Sequence, residues 1–339
     1  RVKCKKSGDS FRKRHFETET DMIDDQPEHF VFLMMPEFTH LAFSCAIEPL
    51  RIANLISGET LYRWSFMSEN GQTAEASNGV VIQVHRGFEA LNRGEKLFVM
   101  SGIHVKENTT PNVLAVIRKA RATGTLGGAL CSGAYTLAKA GILSGMKAAI
   151  HWDYHDSFME DFPEVRLVRN VFVADEKYIT ASGGTATADL MIHLIEQKHG
   201  ASLATEVADM MLHNAVREAT AEQRVSLQSR HGIRNPHLSN AVRMMSENIE
   251  EPISPADIAQ EIGISTRQLE RLFGRHMNCS PKKYYVDMRL HKARNLLLQT
   301  EKPVTEIAFL CGFTSPAHFA RVFRTQYGIT PLNQRGKIT

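Results

Sequence analysis

The sequence predicts an α/β body built on a parallel sheet, followed by an all-α module with two helix-turn-helix units. Three observations predict it. Short apolar runs alternate with amphipathic helical patterns between residues 30 and 198. From Pro236 onward every pattern is helical, and within that stretch one set of residues recurs at nearly constant spacing.

The first strand candidate is Phe30-Val31-Phe32-Leu33-Met34-Met35, apolar on both faces as a fully covered strand must be. A helical pattern follows over 41–56. Further strand candidates are 63–68, 80–84, 96–101, 125–131 and 177–181, with helical patterns at 112–122, 132–140 and 187–198. Short strands alternating with amphipathic helices argue for a parallel sheet covered on both faces. Residues 201–217 read as one more helix. Residues 1–28, charged and poor in apolar periodicity, read as a tail. Residues 29–217 then form the α/β domain, the polar stretch 218–235 a linker, and 236–335 the helical domain.

In the helical domain Ile258-Ala259, Gly263, Leu269, Arg271, Phe273 and Pro281 are echoed by Ile307-Ala308, Gly312, Phe319, Arg321, Phe323 and Pro331. The offset is one residue larger after the glycine, as one extra turn residue requires, so the segment is an internal repeat. Ser254 is placed to cap a helix and Pro255 suits its first turn. Gly263 supplies the positive φ that ends it. Ser265 then caps a second helix, with Gln268 three residues on as its capping-box partner. Leu269, Leu272 and Phe273 face inward, while Arg267, Arg271 and Arg275 recur every four residues on the solvent side. In the second unit Ser315 caps, Phe319, Val322 and Phe323 face in, and His318, Arg321 and Arg324 face out. Arginine reads guanine edges and glutamine adenine edges in the major groove, so the expected DNA-contacting set is Ser265, Arg267, Gln268, Arg271, Arg275, Ser315, His318, Arg321 and Arg324. A long helix over 284–298 is expected to hold the two recognition helices about one DNA turn, ~34 Å, apart.

Charge distribution agrees. Residues 230–339 carry 16 Lys and Arg against 9 Asp and Glu, a balance of +7, and residues 1–229 carry 24 against 28, a balance of −4. A basic module on a slightly acidic body suits a polyanionic partner. No apolar run reaches the roughly 18 residues needed to span a bilayer. The basic, polar stretch from Arg1 to Arg14 lacks the apolar segment of a secretory signal. Five scattered cysteines without a CxxC pair argue against a disulfide framework or zinc site, and for a reducing, cytoplasmic compartment. The histidines show no metal-ligand spacing, so neither a metal nor a cofactor is expected. No phosphate-binding loop is present either, since Gly183-Gly184 lacks a following lysine.

One segment of the α/β domain carries chemistry. In Gly127-Gly128-Ala129-Leu130-Cys131-Ser132-Gly133-Ala134 a strand ends, a cysteine turns and a helix begins, the geometry of a nucleophile elbow. A thiol at a helix N-terminus is expected to have a lowered pKa. Three roles are open to Cys131: nucleophile of a cysteine hydrolase, wall of an effector pocket, or structural thiol.

The repeat resembles the AraC/XylS family of bacterial regulators, most closely through Gly312-Phe313, His318-Phe319, Arg321, Phe323-Arg324 and Tyr327-Gly328 to Pro331. The resemblance implies sequence-specific binding to double-stranded promoter DNA and, by family habit, activation with RNA polymerase as a partner. Residues 29–200 resemble the DJ-1/PfpI group, relatives of class I glutamine amidotransferases, through Glu48-Pro49-Leu50-Arg51, Ala53-Asn54, the Cys131 elbow, His151-Trp152, and Ser182-Gly183-Gly184 with Asp189. That group implies a flavodoxin-like sandwich. The fusion resembles GlxA-like regulators and looks most like those of carnitine, glycine-betaine or arginine catabolism.

Ser132 stands where PfpI-type peptidases have a histidine, and Ser101-Gly102 where many relatives have Gly-Gly at the oxyanion site. The expected role is therefore a former active site reused as an effector pocket in a homodimeric, non-enzymatic regulator. Glu48, Cys131, His151 and Trp152 are the expected ligand contacts, and Cys131, His151 and Glu48 the degenerate catalytic candidates. A carboxylate beside an aromatic face suits a cationic or quaternary amine or an amino acid. A cysteine-dependent hydrolase or amidase fused to a DNA-binding domain is the alternative. Glu48 as a plain helix-face carboxylate and Trp152 as a core aromatic also stand open.

Overall fold

The computed structural model describes residues 26–223 and 235–335. The expected tail lies outside the described residues up to Asp25, and Glu28 already belongs to the first strand.

The α/β body runs β1 (Glu28–Met34), α1 (His40–Ser57), β2 (Tyr62–Met67), β3 (Thr73–Glu75), β4 (Val81–Gln83), β5 (Glu95–Met100), α2 (Val105–Asn108), α3 (Pro111–Ala122), β6 (Leu126–Leu130), α4 (Gly133–Lys139), β7 (Lys147–Ala148), a 3₁₀ turn (Trp152–Tyr154), α5 (His155–Asp161), β8 (Arg166–Leu167), β9 (Phe172–Val173), β10 (Ile179–Ala181), α6 (Ala186–His199) and α7 (Ala201–Met210). The main sheet has the order β2-β1-β5-β6-β10-β9 among the described residues. All its pairings are parallel except β9 with β10. Its faces follow the two-residue period of β1. Phe30, Phe32 and Met34 pack with α1, α6 and α7 on one side, and Val31, Leu33 and Met35 with α3 and α4 on the other.

Three expectations are corrected. The 80–84 segment is not part of the main sheet; β4 pairs antiparallel with β3, and Val81 is 58% exposed, so little apolar burial recruits it. Helix α7 stops at Met210 rather than 217, because Leu212 takes a left-handed φ of 54°. Beyond it, Asp189, fully buried in α6, receives the Arg217 Nε at 2.8 Å, the Arg217 backbone N–H at 3.0 Å and His213 Nε2 at 2.7 Å. The stretch after 218, expected as linker, is held to the body as far as Gln223. Val171 donates to Ala221, Gln223 donates to Arg169, and Asn170 bridges Glu222 antiparallel.

The helical module comprises α8 (Pro236–Glu247), α9 (Pro255–Glu261), α10 (Thr266–Met277), α11 (Pro281–Gln299), α12 (Val304–Leu310), α13 (Pro316–Tyr327) and α14 (Pro331–Arg335). Its two cores are separate. Leu238, Met245, Ile258, Leu269, Phe273 and Tyr285 fill the first, and Leu290, Leu296, Ile307, Phe313, Phe319 and Phe323 the second. Helix α11 contributes to both and so joins the units. No described helix is long and apolar enough to cross a membrane.

Candidate functional site

Each helix-turn-helix unit is built by local chemistry. Ser254 and Ser265 form full capping boxes with Asp257 and Gln268, so the first orphan N–H groups of α9 and α10 are satisfied. Gly263 and Gly312 both take φ of 73° between paired helices. At Gly312 a Cβ would lie 2.4 Å from the Ile249 carbonyl and collide with Pro252, so glycine is required by space as well as by φ. Arg289 of α11 clamps that turn. Its guanidinium donates to the carbonyls of Cys311 and Gly312, both at 2.7 Å, and lies 4.1 Å from the centre of the Phe313 ring. Sequence reading passed over this arginine, because its partners are backbone atoms of a turn more than twenty residues away.

On α10, Leu269 and Phe273 are buried while Arg267, Gln268, Arg271 and Arg275 are exposed; on α13, Phe319 and Phe323 are buried while His318, Arg321 and Arg324 are exposed. Ser265 and Ser315 cap the two helices through their hydroxyls. Gln268 spends its carbonyl oxygen on Ser265, accepting from its N–H at 2.8 Å. The His318 ring lies edge-on to Phe313 at 6.1 Å. Each unit thus presents a capped helix with a cationic outer stripe, the arrangement a major groove accepts.

The second site lies at the carboxyl ends of the parallel strands, where open α/β sheets bind ligands. Three non-glycine residues there take left-handed φ: Glu37 after β1 (56°), His104 after β5 (50°) and Cys131 after β6 (60°). Backbone strain of this kind persists where surrounding structure over-determines it, commonly at functional sites. The loops interlock through Thr39 N–H to Ser101 carbonyl at 3.3 Å and Ile103 N–H to Glu37 carbonyl at 3.3 Å. Gly102 permits this approach, since a Cβ there would fall 2.1 Å from the Glu37 carbonyl oxygen. Glu37 Oε2 pairs with His104 Nδ1 at 2.6 Å, both side chains being more than a third exposed.

Cys131 sits at the elbow between β6 and α4. Its N–H donates to the Ala181 carbonyl at 2.9 Å, and its sulfur lies 3.3 Å from Thr39 Oγ1. Gly183 (φ 86°) packs so closely that a Cβ would come within 2.8 Å of the sulfur, which explains the first glycine of the pair after β10. The expected lowering of the thiol pKa is overturned. Burial pushes it above the usual thiol range, outweighing the hydrogen bonds from Thr39 and the Ser132 backbone. Ser132, in the position of the peptidase histidine, turns its buried hydroxyl into the fold and donates to the Gly102 carbonyl. Tyr154 donates to the same carbonyl at 3.1 Å, and burial raises its pKa.

The other expected contacts are dispersed. Glu48 lies nine residues along α1 from Thr39, about 13 Å of helix. Its carboxylate is held by Arg51 Nε at 2.9 Å in a half-exposed pair, so it is not brought to Cys131. His151 caps the 3₁₀ turn, accepting from the Asp153 N–H at 3.4 Å, and burial lowers its pKa. Trp152 lies between His151 (5.4 Å) and His291 of α11 (6.1 Å), its ring tilted against both, facing the helical module. Glu37, Thr39, His104 and Tyr154 were missed. The signal that marks Glu37 and His104 in the sequence is their place just after a parallel strand. No group of His, Cys, Asp or Glu suited to a metal occurs among the described residues.

A paired helix-turn-helix module on a doubly covered α/β body defines a DNA-binding protein of the regulator class. Residues 258–337 match the helix-turn-helix domain model, and residues 31–197 match the DJ-1/PfpI family. The chain is 36% identical over 309 residues to the HTH-type transcriptional regulator GbdR of Pseudomonas aeruginosa, covering 91% of this chain and 84% of that protein. It is likewise 36% identical over 308 residues to the regulator CdhR of the same organism, covering 91% of both. The crystal structure of an AraC family transcriptional regulator from Pseudomonas putida superposes with a TM-score of 0.50 at 24% identity, covering 55% of this chain and all of that one, and shows the α/β fold alone. The chain belongs to the family of HTH-type transcriptional regulators that join a DJ-1/PfpI domain to an AraC-type DNA-binding module.

Proposed function

We propose that this regulator responds to a small effector bound at the strand ends around Cys131, without turnover, and acts as a homodimer that activates a catabolic operon. The observation that carries the effector site is the convergence of three strained residues, Glu37, His104 and Cys131, at the ends of adjacent parallel strands. Two buried hydroxyls without hydrogen-bond partners support it: Ser101, next to Gly102, and Thr187, whose backbone bonds to Gly184. Glu37, rather than Glu48, is the carboxylate that meets a cationic or quaternary amine or an amino acid there. A thiol held neutral by burial, without a histidine beside it in sequence, supports a binding rather than a nucleophilic role. The DNA contacts are those of the exposed stripes on α10 and α13, with other lysines and arginines of the module reaching phosphates.

A thermal-shift panel of carnitine, glycine betaine, dimethylglycine and arginine tests the effector site, with Glu37→Ala, Glu48→Ala and Cys131→Ala alongside. Ligands that bind the native state alone raise the melting temperature. The expected result is a selective rise lost in Glu37→Ala and Cys131→Ala but kept in Glu48→Ala. A rise unaffected by Glu37→Ala and Cys131→Ala places the effector elsewhere.

A further inference from the structure

The connecting helix α11 docks on the α/β body through one stripe. His291, Asn295 and Gln299 recur every four residues, and Lys302 follows just beyond the helix. They meet residues 152–161. Asn295 Nδ2 donates to Asp153 Oδ1 at 3.1 Å, and Gln299 Nε2 to the Asp153 carbonyl at 3.0 Å. The buried Ser157 hydroxyl donates to Gln299 Oε1 at 2.8 Å. Lys302 pairs with Glu160 at 3.1 Å, and the His291 ring lies tilted beside Trp152 at 6.1 Å. Asp156 faces Lys292, His291 and Arg169.

Two features give this contact its meaning. The first is its charge. The acidic body supplies Asp153, Asp156 and Glu160, while the basic module supplies Lys292 and Lys302. Glu160, which holds Lys302, competes with duplex phosphates for that cation. The contact is mostly amide hydrogen bonds with one ion pair, which water and counterions replace at modest cost. The second is its position. Tyr154, within the docking strip, hydrogen-bonds to the Gly102 carbonyl that also receives Ser132, the neighbour of Cys131. Gln223, the last described residue before the two modules part, donates to the carbonyls of Ile150 and Asn170 beside the same strip.

We propose that residues 152–161 are an autoinhibitory docking strip for the connecting helix, which duplex DNA must displace and which the Cys131 site reaches through Tyr154. The last clause rests on the effector reading above; the competition with DNA does not.

The test uses the full chain and a duplex that it selects from a randomised pool. Asp153→Ala with Glu160→Ala, both in the α/β body, is expected to bind that duplex about five- to tenfold tighter, the effect of losing about one hydrogen-bonded contact. In a Trp64→Phe background Trp152 is the remaining tryptophan, and its emission is expected to change as DNA saturates the protein, because it parts from His291. Unchanged or weaker affinity in a folded double variant overturns the proposal, as does Trp152 emission identical with and without DNA. Should the double variant not fold, the emission experiment decides alone. Failure of the unaltered chain to select any duplex instead overturns the DNA-binding reading.

Discussion

Asp153 and Asn295, 142 residues apart, share a hydrogen bond of 3.1 Å between carboxylate and amide. It ties the loop beyond the Cys131 elbow to the helix that joins the two helix-turn-helix units, so the sensing and reading halves of the chain touch through side chains as well as through the backbone.

The elbow itself depends on a missing side chain. Gly183→Ala would drive a methyl group into Cys131 from a left-handed backbone, at a cost of about 2–5 kcal/mol. Gly184→Ala meets only Leu41, at 4.0 Å, and should cost about 1 kcal/mol, the strain of its φ. Chemical denaturation of both variants checks the difference. Equal losses would mean that the contact with Cys131 is not what selects glycine.

The thiols set an alkaline limit on stability. Burial raises the folded-state pKa of Cys131, and pushes that of Cys311 up to about 12. A raised pKa leaves stability intact below the unfolded value, near 8.5, and erodes it as pH climbs toward the folded value, by up to about 1.4 kcal/mol per pH unit per thiol. Denaturation midpoints are expected to hold steady to about pH 8 and then fall. Cys131→Ala and Cys311→Ala should flatten the fall. A midpoint that rises from pH 8 to 10 would contradict the sign.

The buried carboxylate of Asp189 anchors the segment ending at Arg217. Asp189→Ala removes the carboxylate that His213 and Arg217 share, leaving the guanidinium only Thr185, and is expected to cost about 3 kcal/mol. The same change should also loosen residues 211–223, seen as faster amide exchange there. Native-like protection of that segment would show that other contacts hold it.

Local chemistry was readable from sequence and long-range chemistry was not. The capping box of Ser265 with Gln268, the turn at Gly263 and the inward phenylalanines of both units depend on neighbours three or four residues away, and they stand where the spacing put them. The elbow at Cys131 was legible for the same reason. Its thiol pKa was not, because burial under residues distant in sequence, Gly183 among them, outweighs both the helix end and the hydrogen bond with Thr39. Glu48 stands out in the sequence by its place in a motif, and Glu37 does not. Arg51, three residues from Glu48, is a local partner, but only the fold sets Glu37 across from His104. The docking strip, a short turn and a seven-residue helix, has no period long enough to announce itself.

Hydroxyl-radical footprinting of the full chain on its selected duplex tests the central claim most directly. Two recognition helices in one chain should protect two clusters about one helical turn, ~10 base pairs, apart. Arg271→Ala should weaken one cluster and Arg321→Ala the other, each losing about 1–3 kcal/mol of affinity with folding unchanged, since both side chains are exposed. A single protected cluster, or two that neither substitution alters, would contradict the account.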